Sequence, residues 1–325
     1  MAGVDVADRR DSDAFGDLRP LMFSIAYRMV GSVAEAEDIV QDAYLKLHRT
    51  RQPGAGSRTP PEPVRSPEAY AVTVTTRLAI DHLRSARVRR EAYVGPWLPE
   101  PLLTDPTADP AHEVERDESL SMAVLVLLER LSPVERAVFV LREVFEYEYE
   151  DVAAVVGKEP GNCRQIMARA RRHIEEGRPR YEPSRERREA LARQFLAALD
   201  HGDVAGLERL LAEEVAFYGD GGGKAPAIKT PMYGRARVVR FLLGLARQGR
   251  DLGVRLEPVE VNGQPGFRAL DRDGRLISVA ELNIMSGVIV AIRNVLNPDK
   301  LHHLGTVADL NVLLSGRGPS ATLER

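Results

Sequence analysis

EYEDVAAVVGKEPGNCRQIMARARRHI, residues 148–174, is the stretch on which the fold reading turns. The run YEDVAAVVGK reads as a short helix closed by Gly157, and a second helix follows it. On that second helix Cys163, Met167, Ala170 and Ile174 are spaced 4, 3 and 4 and face inward. Arg164, Gln165, Ala168, Arg169 and Arg172 then point outward. Between Arg164 and Arg172 stand four arginines and no acid. Two short helices around a glycine turn make a helix-turn-helix candidate. Cys163 falls on the buried stripe and reads as a core thiol, because a reactive thiolate needs exposure.

Upstream, LSMAVLVLLERL is apolar and stops before Ser132-Pro133, a cap-plus-proline start for PVERAVFVLREVF. Further back, residues 92–118 carry six prolines and glycines and the motif WLPEP, and read as a linker. Before the linker, PEAYAVTVTTRLAIDHLRSARVRRE opens on Ser66-Pro67 and carries five arginines between Arg77 and Arg90 against one acid, Asp81. The proline-rich segment 51–66 reads as an exposed loop. Before it, residues 15–48 read as helices broken at Gly31-Ser32. There Ala36, Val40, Ala43 and Leu47 form the buried stripe, and Asp38, Gln41, Asp42 and Leu45 lie outside. Residues 35–42 hold four acids and no base. Two basic helices around a flexible linker suit a protein gripping two spaced stretches of one duplex, since arginine neutralises phosphates and pairs with guanine edges.

Downstream the pattern changes. LARQFLAALDHGDVAGLERLLAEEV reads as a helical pair broken at His201-Gly202, AFYGDGGGKAP as a strand end and glycine loop, and YGRARVVRFLLGLARQ as a third helix. From about 253 the period switches to two, with turns at Asn262-Gly263, Asp273-Gly274 and Ser286-Gly287. Helices followed by a meander of strands indicate an α+β domain. The tail, 315–325, reads as flexible.

Composition narrows the class. The 325 residues carry 45 basic and 48 acidic side chains, net −3, which excludes a uniformly basic coat but not local basic patches. One cysteine leaves no internal disulfide and no cysteine-rich zinc site. The polar, acidic N-terminus is unlike a signal peptide, and no run approaches the roughly 18 apolar residues of a membrane helix. The reading is a soluble, intracellular, multi-domain chain.

The runs AEAEDIVQDAYLKL, AYAVTVTTRLAIDHLRSARVRRE and EYEDVAAVVGKEPGNCRQIMARARRHI, in this order, resemble regions 2 and 4 of the sigma-70 family, specifically the extracytoplasmic-function (ECF) sigma factors. The second half resembles the SnoaL-like domain fused to one subgroup. That subgroup carries WLPEP, a DGGG-basic motif and NPDKL, found here at 97–101, 220–224 and 297–301. The resemblance implies an all-α region 2 domain (1–91), a linker (92–118), a region 4 helix-turn-helix domain (119–178) and an α+β curved-sheet cone (185–314). It implies that Asp38, Gln41 and Asp42 dock on core RNA polymerase. It places Arg77, Arg84, Arg87, Arg89 and Arg90 at the −10 element, Arg77 standing where relatives frequently carry asparagine. It places Asn162, Arg164, Gln165 and Arg169 at the −35 element.

Regulatory roles carry over to Trp97, Leu98, Pro99, Glu100 and Pro101, to Asp220, Gly221, Gly222, Gly223 and Lys224, and to Asn297, Pro298, Asp299, Lys300 and Leu301. Trp97 is expected to anchor WLPEP in an apolar groove, and Asp299 and Lys300 to stay polar at a rim. The implied protein is a cytoplasmic initiation factor, not an enzyme, with no cofactor, metal, membrane contact or separate anti-sigma factor. An unidentified small ligand in the cone stays open. So does a DNA-binding protein whose SnoaL-like domain is a sensor or an enzyme, with Asp220, Glu281, His302 and His303 as acid/base candidates. An ordinary helix-turn-helix repressor is a third reading. The DGGGK loop reads either as an anion site or as a turn needing positive φ.

Overall fold

In the computed structural model, residues 4–51, 66–104, 121–175 and 184–315 are described. The loop 52–65, the linker part 105–118 and the tail 316–325 lie outside the described residues. The chain divides into two compact units. One comprises Met1–Arg89, Asp109–Ser119 and Val124–Arg178; the other comprises Arg90–Ala108, Leu120–Ala123 and Pro179–Arg325.

The first unit is helical. Helix α1 (Val4–Val30) ends at Gly31, whose φ of 69° suits a residue without a Cβ. Ser32 then caps α2 (Val33–Arg51), its Oγ accepting from the Glu35 N–H at 3.2 Å. Met22, Ile25 and Met29 of α1 are buried, as are Ala36, Ile39, Val40, Ala43 and Leu47 of α2. Ser66 caps α3 (Pro67–Glu91), accepting from Ala69 N–H. The helix α4 (Met122–Leu128), which belongs to this unit from Val124 on, leads to α5 (Pro133–Phe139), which opens with the Ser132–Glu135 capping box and Pro133 at its first position. One π-helical turn, Val140–Val144, follows. Helix α6 (Tyr149–Val156) closes on Gly157 in the left-handed region, and α7 (Pro160–Glu175) buries Cys163, Met167, Ala170 and Ile174. Buried Arg136 ties α5 to the end of α1, donating to Met29 O at 2.5 Å and pairing with Glu129 at 2.7 Å.

The second unit is a seven-stranded sheet with helices on one face. Helices α8 (Arg185–His201) and α9 (Val204–Leu210) precede strand β2 (Leu211–Asp220). The short strand β1 (Leu103–Thr104) comes from the linker, and β3 (Met232–Tyr233) precedes α10 (Arg235–Leu252). Strands β4 (Arg255–Val261), β5 (Gln264–Leu270), β6 (Leu276–Met285) and β7 (Val288–Val295) form the meander. The order is β1-β4-β5-β6-β7-β2-β3, antiparallel except for the parallel pair β2–β7. Register irregularities in β2, β5–β6 and β6–β7 bend the sheet. Asn262-Gly263 and Ser286-Gly287 make the expected hairpin turns, both residues of each at positive φ.

Side-chain alternation sorts the two faces. Phe217, Phe267, Ala280, Leu282 and Ile292 join Phe195 of α8 and Val238, Val239 and Leu242 of α10 in one apolar core. Phe195 meets Phe267 with centroids 6.3 Å apart, and Phe217 meets Phe241 edge-on at 5.1 Å. That core covers the face of the sheet on which α8, α9 and α10 lie. The opposite register carries Tyr218, Asp220, Glu281 and Arg293.

One element departs from the sequence reading. LAEEV, read as the end of a helix, is the start of β2. Leu211 and Val215 are both buried, a four-residue spacing that imitates a helix. The register slip between Leu211 and Ala216 produces that spacing within a strand paired to β7. Among the described residues, no helix is long and apolar enough to cross a membrane.

Candidate functional site

Two surfaces of the helical unit and one buried cluster of the second unit hold the residues singled out by sequence. On α2, Asp38, Gln41, Asp42 and Leu45 are exposed together. The other two acids are occupied: Glu37 pairs with Arg19 at 2.6 Å, and Glu35 lies 3.1 Å from His82. Among the described residues, Asp38 and Asp42 have no cationic partner, so this face offers two free carboxylates beside an exposed leucine.

On α7, Asn162, Arg164, Gln165 and Arg169 are all exposed. Arg164 lies over the Tyr149 ring at 5.1 Å and pairs with Glu150 at 3.3 Å, so α6 orients its guanidinium. Burial pushes the Cys163 thiol up and keeps it protonated, as befits a core position. On α3, Arg84 is exposed and pairs with Asp81. The side chains of Arg87, Arg89 and Arg90 lie outside the described residues. Arg77 has a structural engagement: its guanidinium donates to the carbonyls of Val155 and Ala154 at 2.9 and 3.0 Å, binding α3 to the end of α6.

The three short motifs converge in the second unit. Asp220, fully buried at the end of β2, accepts from Leu98 N–H at 2.8 Å and from Tyr93 Oη–H at 2.5 Å. Lys300 Nζ reaches the same carboxylate at 2.8 Å and the Leu98 carbonyl at 2.5 Å. Its ammonium lies 4.2 Å from the Trp97 ring centroid and 4.8 Å from that of Tyr93. Asn297 Nδ2 donates to Tyr93 Oη, and its Oδ1 accepts from Asp299 N–H to cap a 3-10 turn at Pro298–Lys300. Burial and the Asp220 charge push the Tyr93 phenol far up, so it remains a neutral donor.

These contacts correct two expectations. Lys300 is not at a polar rim; its side chain is 7% exposed and paired to Asp220. Asp299 does stay outside, where it pairs with Lys224 at 2.6 Å. Nor does Trp97 supply the apolar anchor: its ring faces the Lys300 ammonium, and Leu98, 2% exposed, is the buried apolar residue. The anion reading of DGGGK does not fit a loop that opens on a buried carboxylate. Its glycines answer to geometry. Gly222 and Gly223 have φ of 58° and 74°, and a Cβ on Gly221 would collide with the Ala225 carbonyl.

Beyond Leu98 the linker stays on the sheet. Pro101 O accepts from His303 Nε2–H at 2.8 Å, Leu102 exchanges hydrogen bonds with Asn262, and β1 pairs with β4. A second carboxylate holds Met122, which belongs to the same unit. Glu281, fully buried, pairs with Arg293 at 3.1 Å and accepts from Met122 N–H at 3.0 Å, at the start of α4. Burial pushes the Glu281 carboxyl up, against the opposing pull of Arg293. Glu281 and Asp220 sit two strands and two residues apart, roughly 12 Å. Each is bonded within the chain, and His302 is exposed, so the acid/base candidates do not converge. Among the described residues, no group of three or more histidine, cysteine, aspartate or glutamate side chains could hold a metal ion.

Sequence reasoning missed Tyr93, Arg293 and Met122. Tyr93 precedes WLPEP by four residues, and nothing local marks it as the donor to Asp220. Arg293 pairs with Glu281 only through strand register.

Residues 14–89 match the family model Sigma-70 region 2, and residues 121–174 match Sigma-70, region 4. The chain is 36% identical over 297 residues to the "ECF RNA polymerase sigma factor SigJ" of Mycobacterium tuberculosis, covering 88% of this chain and 91% of that one. It is 33% identical over 291 residues to the "Probable ECF RNA polymerase sigma factor SigI" of the same species, covering 88% and 93%. The crystal structure of M. tuberculosis SigJ superposes with a TM-score of 0.71 at 32% identity, covering 90% of this chain and 98% of that one.

Proposed function

This chain belongs to the extracytoplasmic-function sigma factors of the sigma-70 family, and from that premise we propose that its C-terminal domain sets the output of initiation by holding the linker between regions 2 and 4. As a family member it binds core RNA polymerase and directs promoter-specific transcription. Its fold is that of helical regions 2 and 4 followed by a curved-sheet SnoaL-like domain.

In this reading Asp38, Gln41 and Asp42 form the polymerase contact. Short unpaired acids suit arginines on a partner and steer encounter. Asn162, Arg164, Gln165 and Arg169 read the −35 element in the major groove. Arg84, Arg87, Arg89 and Arg90 carry the −10 strand, and Arg77 acts by positioning α3. The factor works in the cytoplasm, where polymerase is. It makes no bond itself, and its fused domain takes the role of a separate anti-sigma factor.

One observation carries the regulatory part: both backbone polar groups of Leu98 in WLPEP are bonded, its N–H to Asp220 and its carbonyl to Lys300. One residue from each motif thus builds a single buried lock on the linker. The sensor and enzyme readings draw no support from carboxylates already bonded within the chain. The test is run-off transcription with core polymerase on the promoter of the factor's own gene, comparing full length, 1–296 and 1–180. The 1–296 chain loses Asn297 and Lys300 and is expected to give increased output. The 1–180 chain also loses Asp220 and the whole sheet and is expected to differ from 1–296. Equal output from all three per bound polymerase overturns the proposal.

A further inference from the structure

Helix α10 carries five arginines, at 235, 237, 240, 247 and 250, and one acid, Asp251. Its buried face is Val238, Val239, Leu242 and Leu243. Two of the arginines are engaged: Arg235 pairs with Glu213 at 2.8 Å, and Arg250 donates to the carbonyls of Leu199 and Asp200. Arg237, Arg240 and Arg247 are exposed. Among the described residues they have no carboxylate partner; Arg240 only donates to Ala236 O within its own helix, at 3.4 Å. Elsewhere in the same unit, Arg185, Arg209, Arg268, Arg275, Arg293 and Lys300 all reach carboxylates. Arg187, Lys229 and Arg272 share the lack, Arg272 donating only to the Asp251 carbonyl, but each stands singly on another segment.

The placement runs against the helix's own preferences. Arg237 sits in the first turn, where the macrodipole favours acids, and Arg237 and Arg240 are like charges three apart. Among the described residues no carboxylate compensates, and local rules broken without compensation mark functional surfaces. At 3.6 residues per turn, Arg237, Arg240, Gly244 and Arg247 fall within an arc of about 80°, and the stripe is about 15 Å long. One DNA strand presents a phosphate every 3.4 Å or so along the axis, about five over that length. The stripe holds no large apolar residue; between the arginines lies Gly244. Protein interfaces are built on buried aromatic and apolar anchors, whereas phosphate contacts need none.

We propose that this arginine stripe of the C-terminal domain is a sequence-independent contact to duplex DNA phosphates in the initiation complex. The proposal rests on the sigma-factor reading. It adds a third DNA-contacting surface to regions 2 and 4.

The test uses the full-length protein with core polymerase. Affinity for a long promoter duplex is measured against salt for wild type and for Arg237→Gln/Arg240→Gln/Arg247→Gln, with a helix content and melting check. Each phosphate contact contributes about 0.9 to the slope of log affinity against log salt. The variant's slope is therefore expected to be shallower by two to three. Between 50 and 200 mM salt its affinity falls about 40-fold less than that of wild type. A scrambled duplex of the same length should show the same change. An unchanged slope overturns the proposal, and so does weaker polymerase binding with an unchanged DNA slope, which would make the stripe a protein surface. Arg164→Ala/Arg169→Ala serves as a control. If that variant also binds the promoter like wild type, the sigma-factor assignment of α7 has failed, not only the stripe.

Discussion

Replacing Lys300 with methionine tests the lock where its energy is concentrated. Asp220 is fully buried and the Lys300 side chain nearly so, so solvent screening is small. Breaking a buried pair by removing one partner costs about 3–5 kcal/mol, because the remaining charge is stranded. Asp220 keeps two donors, Tyr93 Oη–H and Leu98 N–H, which puts the expected loss near the lower end, about 3 kcal/mol. The stacking of the ammonium on Trp97 and Tyr93 disappears in the same step and is not added separately. Hydrogen exchange reads the loss directly. The Leu98 amide is bonded to Asp220, and 3 kcal/mol of local opening speeds its exchange about 150-fold.

The double variant Lys300→Met/Asp220→Asn removes both charges. An asparagine amide can present its oxygen to Leu98 N–H and its NH₂ to Tyr93 Oη, so at least half of the protection should return. Transcription by Lys300→Met should shift in the same direction as truncation before Asn297. Leu98 exchange within threefold of wild type in the single variant, or faster exchange in the double than in the single, refutes the reasoning.

The acidic face of α2 gives a separate test: if it is the polymerase contact proposed above, Asp38→Arg/Asp42→Arg should abolish capture by core polymerase while changing thermal stability by less than about 0.5 kcal/mol, as exposed positions do; normal pull-down by the folded variant would overturn the assignment. On α7, Arg164→Ala/Arg169→Ala should weaken use of a −35-dependent promoter by about 1–3 kcal/mol per lost bidentate contact, read as transcript yield, and wild-type yield would mean the wrong face was chosen. Glu281 sets a pH dependence. Its folded-state value is raised by burial, so its contribution to stability is full below the ordinary carboxylate value of about 4.3 and is lost as pH rises through the folded value. Glu281→Gln should therefore flatten the fall in stability of the second unit above that pH, measured by Met122 amide exchange; a slope equal to that of wild type would show that Glu281 does not titrate as its burial requires.

The helical unit was legible because its signals are local. Gly31, Gly157 and the Ser132-Pro133 pair act on their neighbours through capping and positive φ, and the stripe Cys163, Met167, Ala170, Ile174 needs only the helical period. The β-hairpin turns at Asn262-Gly263 and Ser286-Gly287 are local in the same sense. What failed was long-range. LAEEV imitates a helix because a register slip in a parallel pair spaces its buried residues by four, and its partner strand lies some 75 residues downstream. Lys300 reads as a surface lysine until Asp220, 80 residues away, is placed beside it. Trp97 reads as an apolar anchor until that ammonium lies over its ring. WLPEP, DGGGK and NPDKL could be picked out as motifs by resemblance. That they meet on one residue, Leu98, follows only from the sheet, which brings the end of β2 and the turn after β7 together through the hydrogen bonds from Leu296 and Asn297 N–H to Asp220 O. The lock depends on that register: a one-residue slip of β2 against β7 would turn Asp220 to the opposite face and leave Lys300 buried without a counter-charge.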